Sequence, residues 1–169
     1  MIKARCPACK RLHLYSKSDW RYISGIPSKK ALCSRGCLRN YIVRQDGEYP
    51  SEAISPDAAR QGNVYSKRFN SWFCSYYEVL VASWLNDNKI EFEYEKLAFL
   101  MGERNRQYIP DFYLPQYKVF LEVKGVWEQG AKKKVKEFVM TYPETPLIIV
   151  PWTLYNEFKK DGTEERIIT

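Results

Sequence analysis

One strand constrains this chain more than any other feature. Residues 118–125 read Lys-Val-Phe-Leu-Glu-Val-Lys-Gly, an apolar run broken only by Glu122 and Lys124. In an extended strand successive side chains point to opposite faces, so Glu122 and Lys124 share one face and Val119, Leu121 and Val123 the other. Acids and lysines are rarely buried unless they are paired or bind a metal. A charged pair on one face of an otherwise apolar strand therefore needs a partner or a function. A second acid sits in similar company: Asp111 lies in Gln-Tyr-Ile-Pro-Asp-Phe-Tyr-Leu (107–114), 11 residues before Glu122. Pro115 closes that segment and Gly125 ends the next.

The flanking sequence supplies the rest of a domain. Residues 71–87 place Phe73, Tyr76, Tyr77, Leu80, Val81, Trp84 and Leu85 at spacings of mostly three and four, which predicts a helix with one apolar face, capped by Ser71 and ended by Asn86-Asp87-Asn88. Residues 91–99 alternate charged and apolar, a half-buried strand, and 101–106 form a turn. Residues 131–142 predict a basic amphipathic helix, 147–152 a buried strand, and 153–160 a last short helix. The order is helix, three strands, helix, strand, helix. A strand that follows a helical crossover should run parallel to a strand already in the sheet, so the expected class is α/β with a mixed α-β-β-β-α-β sheet.

Two carboxylates on adjacent strands form an oxygen donor set for one or two divalent cations. Such a cation neutralises a phosphate and orients an attacking water, and Lys124 stands close enough to help deprotonate that water. The backbone carbonyl of Val123 is a further candidate ligand for Mg²⁺ or Mn²⁺. Glu78, the one acid inside the helical run before its end, is placed to complete the site. The plainer alternative is a buried ion pair of Asp111 or Glu122 with Lys124.

Ile109-Pro110-Asp111-Phe112 followed by Glu122-Val123-Lys124, with Ser75-x-x-Glu78 upstream, resembles the PD-(D/E)XK nuclease superfamily over about residues 70–155. The resemblance implies a restriction-endonuclease-like core in which Asp111 and Glu122 hold the metal, Glu78 assists and Lys124 is the catalytic lysine. It also implies a metal-dependent DNA endonuclease. A Holliday-junction resolvase of the same fold and a catalytically silent nucleic-acid-binding protein are the alternatives. One such site cuts one strand, so a duplex-cutting enzyme is expected to act as a homodimer. The small size resembles phage and mobile-element nucleases. Lys132, Lys133 and Lys134 after the active strand, and Arg104 and Arg106 on the turn, are either DNA contacts or a solvated face.

The N-terminal third reads differently. Cys6 and Cys9 form a C-x2-C knuckle, and after 23 intervening residues Cys33 and Cys37 form C-x3-C. Knuckles of this kind bring thiolates together for tetrahedral zinc, and the arrangement is similar to small treble-clef-like zinc fingers. His13, the one histidine, is expected to be a bystander, and Cys74 a core residue. Residues 1–60 carry 12 Lys+Arg against 5 Asp+Glu, while 61–169 carry 15 of each, so the net charge of +7 sits wholly in the first third. A compact basic module suits a polyanion, and Arg35 and Arg39 are candidate DNA contacts beside the cysteines. The expected division is a zinc module at 1–45, a linker at 46–70 rich in Gly, Ser, Pro and Asp, and the catalytic core at 71–169. No run approaches a membrane span and no signal-peptide core opens the chain, so an intracellular, cytoplasmic setting is expected, in which five cysteines favour metal over disulfides.

Overall fold

The computed structural model describes residues 2–6, 9–15, 34–43, 51–57, 61–102, 106–126 and 128–160. Cys33 and Arg104, both singled out from the sequence, lie outside the described residues. The fold is mixed α/β. Its centre is a four-stranded sheet in the order β10-β9-β8-β5, where β5 is Glu93–Tyr94, β8 Phe112–Leu114, β9 Val119–Lys124 and β10 Leu147–Pro151. β8 runs antiparallel to both β5 and β9. β10 returns parallel to β9, as a helical crossover requires.

Alternation along β8 and β9 divides the core in two. Phe112, Leu114, Val119, Leu121 and Val123 pack on one side with helix α2 (Tyr76–Asp87). Tyr113 and Phe120 pack on the other with Val135, Phe138 and Val139 of helix α3 (Gln129–Thr141). A sheet covered on both faces buries nearly every residue of β9, and Val119 through Val123 are all buried. α2 is likewise buried from Tyr77 to Leu85, because it lies between the sheet and helix α4 (Tyr155–Lys160). A one-turn 3-10 segment, Trp152–Leu154, leads into α4. Among the described residues no helix is long and apolar enough to cross a membrane.

Three expectations are corrected. The α2 helix begins at Tyr76 and is capped by Ser75, not Ser71, because Ser71–Phe73 is strand β4, paired antiparallel with β3 (Val64–Ser66). The segment expected as a linker therefore carries β3, and Ile54 within it bridges to Ala98. The strands expected at 91–99 and 107–114 each break in two. Glu95 adopts a left-handed conformation (φ 49°), and Pro110 lacks the N–H a ladder needs. The pieces between, β6 (Phe99–Met101) and β7 (Arg106–Tyr108), form their own two-stranded sheet against α3.

The N-terminal segment is a hairpin, β1 (Ile2–Arg5) and β2 (Leu12–Tyr15), with Cys6 and Cys9 in its turn, followed after the undescribed stretch by helix α1 (Arg35–Ile42). It does not stand apart from the core. Cys6, Cys37, Leu38 and Ile42 are buried in the same apolar cluster as α2 and Phe158. The Arg35 backbone N–H donates to Glu157 of α4 at 3.0 Å, and the Arg35 guanidinium lies over the Phe158 ring.

Candidate active site

The acids singled out in the strands meet across the sheet. Phe112 stands opposite Leu121 and Tyr113 opposite Phe120. One residue further along this ladder Asp111 stands opposite Glu122. Both are nearly sealed from solvent, at 2% and 3% exposed. Asp111 Oδ2 accepts the Val123 backbone N–H at 2.6 Å, a charge-assisted bond that fixes the carboxylate against β9. Glu122 Oε1 pairs with Lys124 Nζ. The plainer alternative drawn from the sequence, a Glu122–Lys124 ion pair, is thus present.

That pair leaves Glu122 incomplete. Its second oxygen, Oε2, is buried and has no hydrogen-bond partner among the described residues. Buried polar atoms are almost always satisfied, and an orphaned one costs about 1–3 kcal/mol, more when charged. The carboxylate borders a cleft of about 310 Å³ between β9, β7 and the first turns of α3, which Lys124, Glu128 and Lys134 also line. A hard divalent cation takes carboxylate oxygens of this kind, so the donor set fits one.

Glu78 is placed elsewhere. Its Oε1 accepts from Ser75 Oγ at 2.8 Å, while Ser75 Oγ accepts the Glu78 N–H at 3.2 Å, a capping arrangement at the start of α2. Oε2 accepts from the Cys74 N–H at 3.1 Å and from Tyr94 Oη at 2.5 Å. The cap turns this carboxylate back on its own helix end. There it groups with Cys74 and Glu95, whose ligand atoms all lie within 4.8 Å of one another, and not with Asp111 and Glu122. Glu95 in turn donates its N–H to the Asp111 carbonyl at 3.0 Å, which ties this acidic group to the strand end that carries Asp111. Sequence reasoning missed Tyr94, Glu95 and Glu128. In Glu-Phe-Glu-Tyr-Glu (91–95) the acids read as a solvated strand face, and the left-handed turn at Glu95 that changes its direction has no local signal.

The basic residues divide. Lys134 lines the cleft; Lys133 is exposed and Lys132 half-buried on the same helix. Arg106 forks onto Glu137 of α3 at 3.1 and 3.3 Å. Arg35 is engaged with α4, and Arg39 is exposed in the last turn of α1.

Three of the four paired cysteines converge as well. The sulfurs of Cys6, Cys9 and Cys37 lie within 4.8 Å of one another, and tetrahedral zinc holds its sulfurs about 3.8 Å apart. The Cys6 carbonyl accepts the Lys10 N–H across a turn in which Lys10 has φ 63°. Cys37 sits in the first turn of α1, with its N–H given to Ser34 Oγ at 3.2 Å, and a helix N-terminus favours a thiolate there. His13 Nε2 is 3.8 Å from Cys9 Sγ.

Burial, then the Glu78 charge, raises the Tyr94 hydroxyl pKa above its usual 10.0. A raised folded-state pKa gives stability that is complete below pH 10 and is lost as pH climbs above it. Unfolding free energy should therefore fall above pH 10 in the wild type. Tyr94→Phe should remove that fall and cost about 1–3 kcal/mol at neutral pH, since Glu78 and the Cys74 N–H each lose a partner. Urea titrations from pH 7 to 11 check both; an unchanged slope in the variant would rule out this assignment.

The family model of phage endonuclease I ("Phage endonuclease I") matches residues 61–160, the segment that contains Glu78, Asp111, Glu122 and Lys124. Endonuclease I of Escherichia phage T7 is 38% identical over 80 residues, 46% of this chain and 53% of that protein. Endodeoxyribonuclease 1 of Enterobacteria phage T3 is 32% identical over 80 residues, 46% of this chain and 52% of that protein. The chain thus spans about half the length of the curated relatives it matches. No solved structure matches it significantly. A family match over more than half of the residues, centred on the paired strand acids, assigns the chain to the phage endonuclease I family.

Proposed function

We propose that this chain is a metal-dependent DNA endonuclease of the PD-(D/E)XK type, with an N-terminal zinc module that helps it grip DNA. The observation that carries the reading is the orphaned Glu122 Oε2, buried in a residue that stands opposite Asp111 and lines a cleft. A purely structural ion pair would be expected to satisfy both oxygens, because a buried charge left half-solvated is costly. A carboxylate kept in that state serves a ligand that arrives later. The names of the two phage relatives, both endonucleases, agree with this reading.

Asp111 and Glu122 would hold Mg²⁺ or Mn²⁺, with the Val123 carbonyl as a further ligand. When bound, the cation supplies charge neutralisation at the phosphate and a more acidic water. The Val123 N–H keeps Asp111 oriented in either state. Lys124 Nζ stands next to Glu122, where it can donate to the attacking water or to a phosphate oxygen. Glu78 keeps its assisting role only through the Cys74–Glu95 group that reaches the Asp111 strand end. One such site per chain implies a homodimer for double-strand cutting, and the setting is intracellular. In the zinc module Cys6, Cys9, Cys33 and Cys37 are the proposed ligands, and Arg35 and Arg39 flank them. The module spans 1–45 in this proposal but shares its apolar floor with the catalytic core at 71–169.

The deciding experiment is cleavage of plasmid, linear duplex and four-way-junction DNA with Mg²⁺ or EDTA. Asp111→Ala or Glu122→Ala should reduce cleavage by at least about 10³-fold while DNA binding persists. Full activity in either variant would sink the site. Preference for the junction would favour a Holliday-junction resolvase, and binding without cutting on any substrate would favour a silent binding protein. Metal analysis of the purified chain should return one zinc, lost with unfolding of α1 when Cys37 is replaced by Ser; a chain free of zinc would refute the module.

A further inference from the structure

The cleft beside Glu122 is built from both ends. On the strand side stand Glu122 and Lys124. On the helix side stand Gly130, Ala131, Lys134 and Val135, at spacings of one, four and five along α3. Those spacings mark one stripe of a helix with 3.6 residues per turn. Lys132, Lys133 and Lys136 fall on the opposite side of the same helix. Four lysines that look equivalent in the sequence are therefore sorted by the helix, and Lys134 is the one that borders the cleft.

The first turn of α3 has a matching character. Glu128 at the cap position makes no side-chain capping bond among the described residues. A Cβ built on Gly130 would meet nothing within 4 Å, so the approach to the turn is open. An open helix N-terminus presents N–H donors and a partial positive charge to an anion. Glu122 lines the far wall of the same cleft, and its orphaned, buried Oε2 is the independent sign that a ligand is taken there. Charge agrees. With Asp111 beside Glu122, the acids Asp111, Glu122 and Glu128 outnumber Lys124 and Lys134 by one. A divalent cation held by Asp111 and Glu122 would turn that balance to +1, suited to a phosphodiester.

We propose that Lys134, with the open first turn of α3, grips the DNA phosphate on which the Glu122 site acts. The proposal rests on the endonuclease reading. Lys132, Lys133 and Lys136 contribute only general surface charge.

The test is single-turnover cleavage of a DNA substrate by the full chain in Mg²⁺, with Lys134→Ala, Lys134→Arg, Lys133→Ala and Lys124→Ala compared. Loss of one charge-assisted contact predicts a rate about 10- to 100-fold lower in Lys134→Ala. Lys134→Arg should restore most of the rate, and Lys133→Ala should stay within about twofold. An uncharged methylphosphonate at the scissile position should slow both, since the cation also meets that charge, but by a smaller factor in Lys134→Ala than in the wild type. Lys134 is exposed, so urea midpoints should not move, which separates the effect from misfolding. Wild-type rates in Lys134→Ala, or equal losses in Lys134→Ala and Lys133→Ala, would overturn the proposal. If Lys124→Ala abolishes cutting while Lys134→Ala does not alter it, only this inference fails. If the wild type cuts no DNA, the endonuclease reading fails and takes this one with it.

Discussion

Glu122 is held in the middle of a strand that is buried on both faces, with one oxygen on Lys124 and the other unsatisfied. Much of the architecture answers the problem this creates. Sealing a carboxylate in low dielectric costs several kcal/mol unless charge returns to it. Lys124, two residues on, returns half. Asp111 is kept from adding repulsion without a use by the Val123 N–H, which draws its charge to the backbone. In the proposed function a divalent cation would offset what remains, and the cleft to α3 lies beside it.

The two faces of the sheet share the work unequally. The α2 face is a dry apolar packing in which aromatic edges interlock, as Tyr77 does with Trp152, Tyr155 and Phe158. It keeps β8 and β9 in register, and with them Asp111 opposite Glu122. The α3 face is apolar only below the cleft, where Phe99 packs edge-on and Tyr108 tilted against Phe138. Above it, polar side chains from β9 and α3 face each other across open space. A rigid floor with an open mouth suits a site that must hold acids within a few tenths of an ångström yet admit a polymer.

How far the sequence revealed this depends on distance along the chain. Local signals worked: the alternation that put Glu122 and Lys124 on one face, the buried strand at 147–151, and the helix after β9 all follow from spacing of apolar residues. Signals that depend on one backbone angle did not. The left-handed Glu95 and the missing N–H of Pro110 split two expected strands and released β6–β7 as a separate sheet. Ser71 and Ser75 both look like caps, and only the pairing of Ser71 with Ser66 in β3–β4 decides between them. Glu122 and Lys134 line one cleft from a strand and a helix, so no periodicity could announce their nearness. The N-terminal cysteines show the same division: C-x2-C and C-x3-C were legible, but burial of Cys6, Cys37 and Leu38 against the α2–α4 floor was not.

In the proposed function the Glu122 carboxylate is kept half-satisfied for a cation held jointly with Asp111. The most direct measurement is a crystal soaked in Mn²⁺ and recorded at an anomalous wavelength. The account predicts a peak within about 2.0–2.3 Å of oxygens from both Asp111 and Glu122, with Glu122 Oε2 among the ligands. Crystals that take up Mn²⁺ nowhere near these two acids, with Lys124 still seated on Glu122, would contradict it and leave the pair as a structural salt bridge.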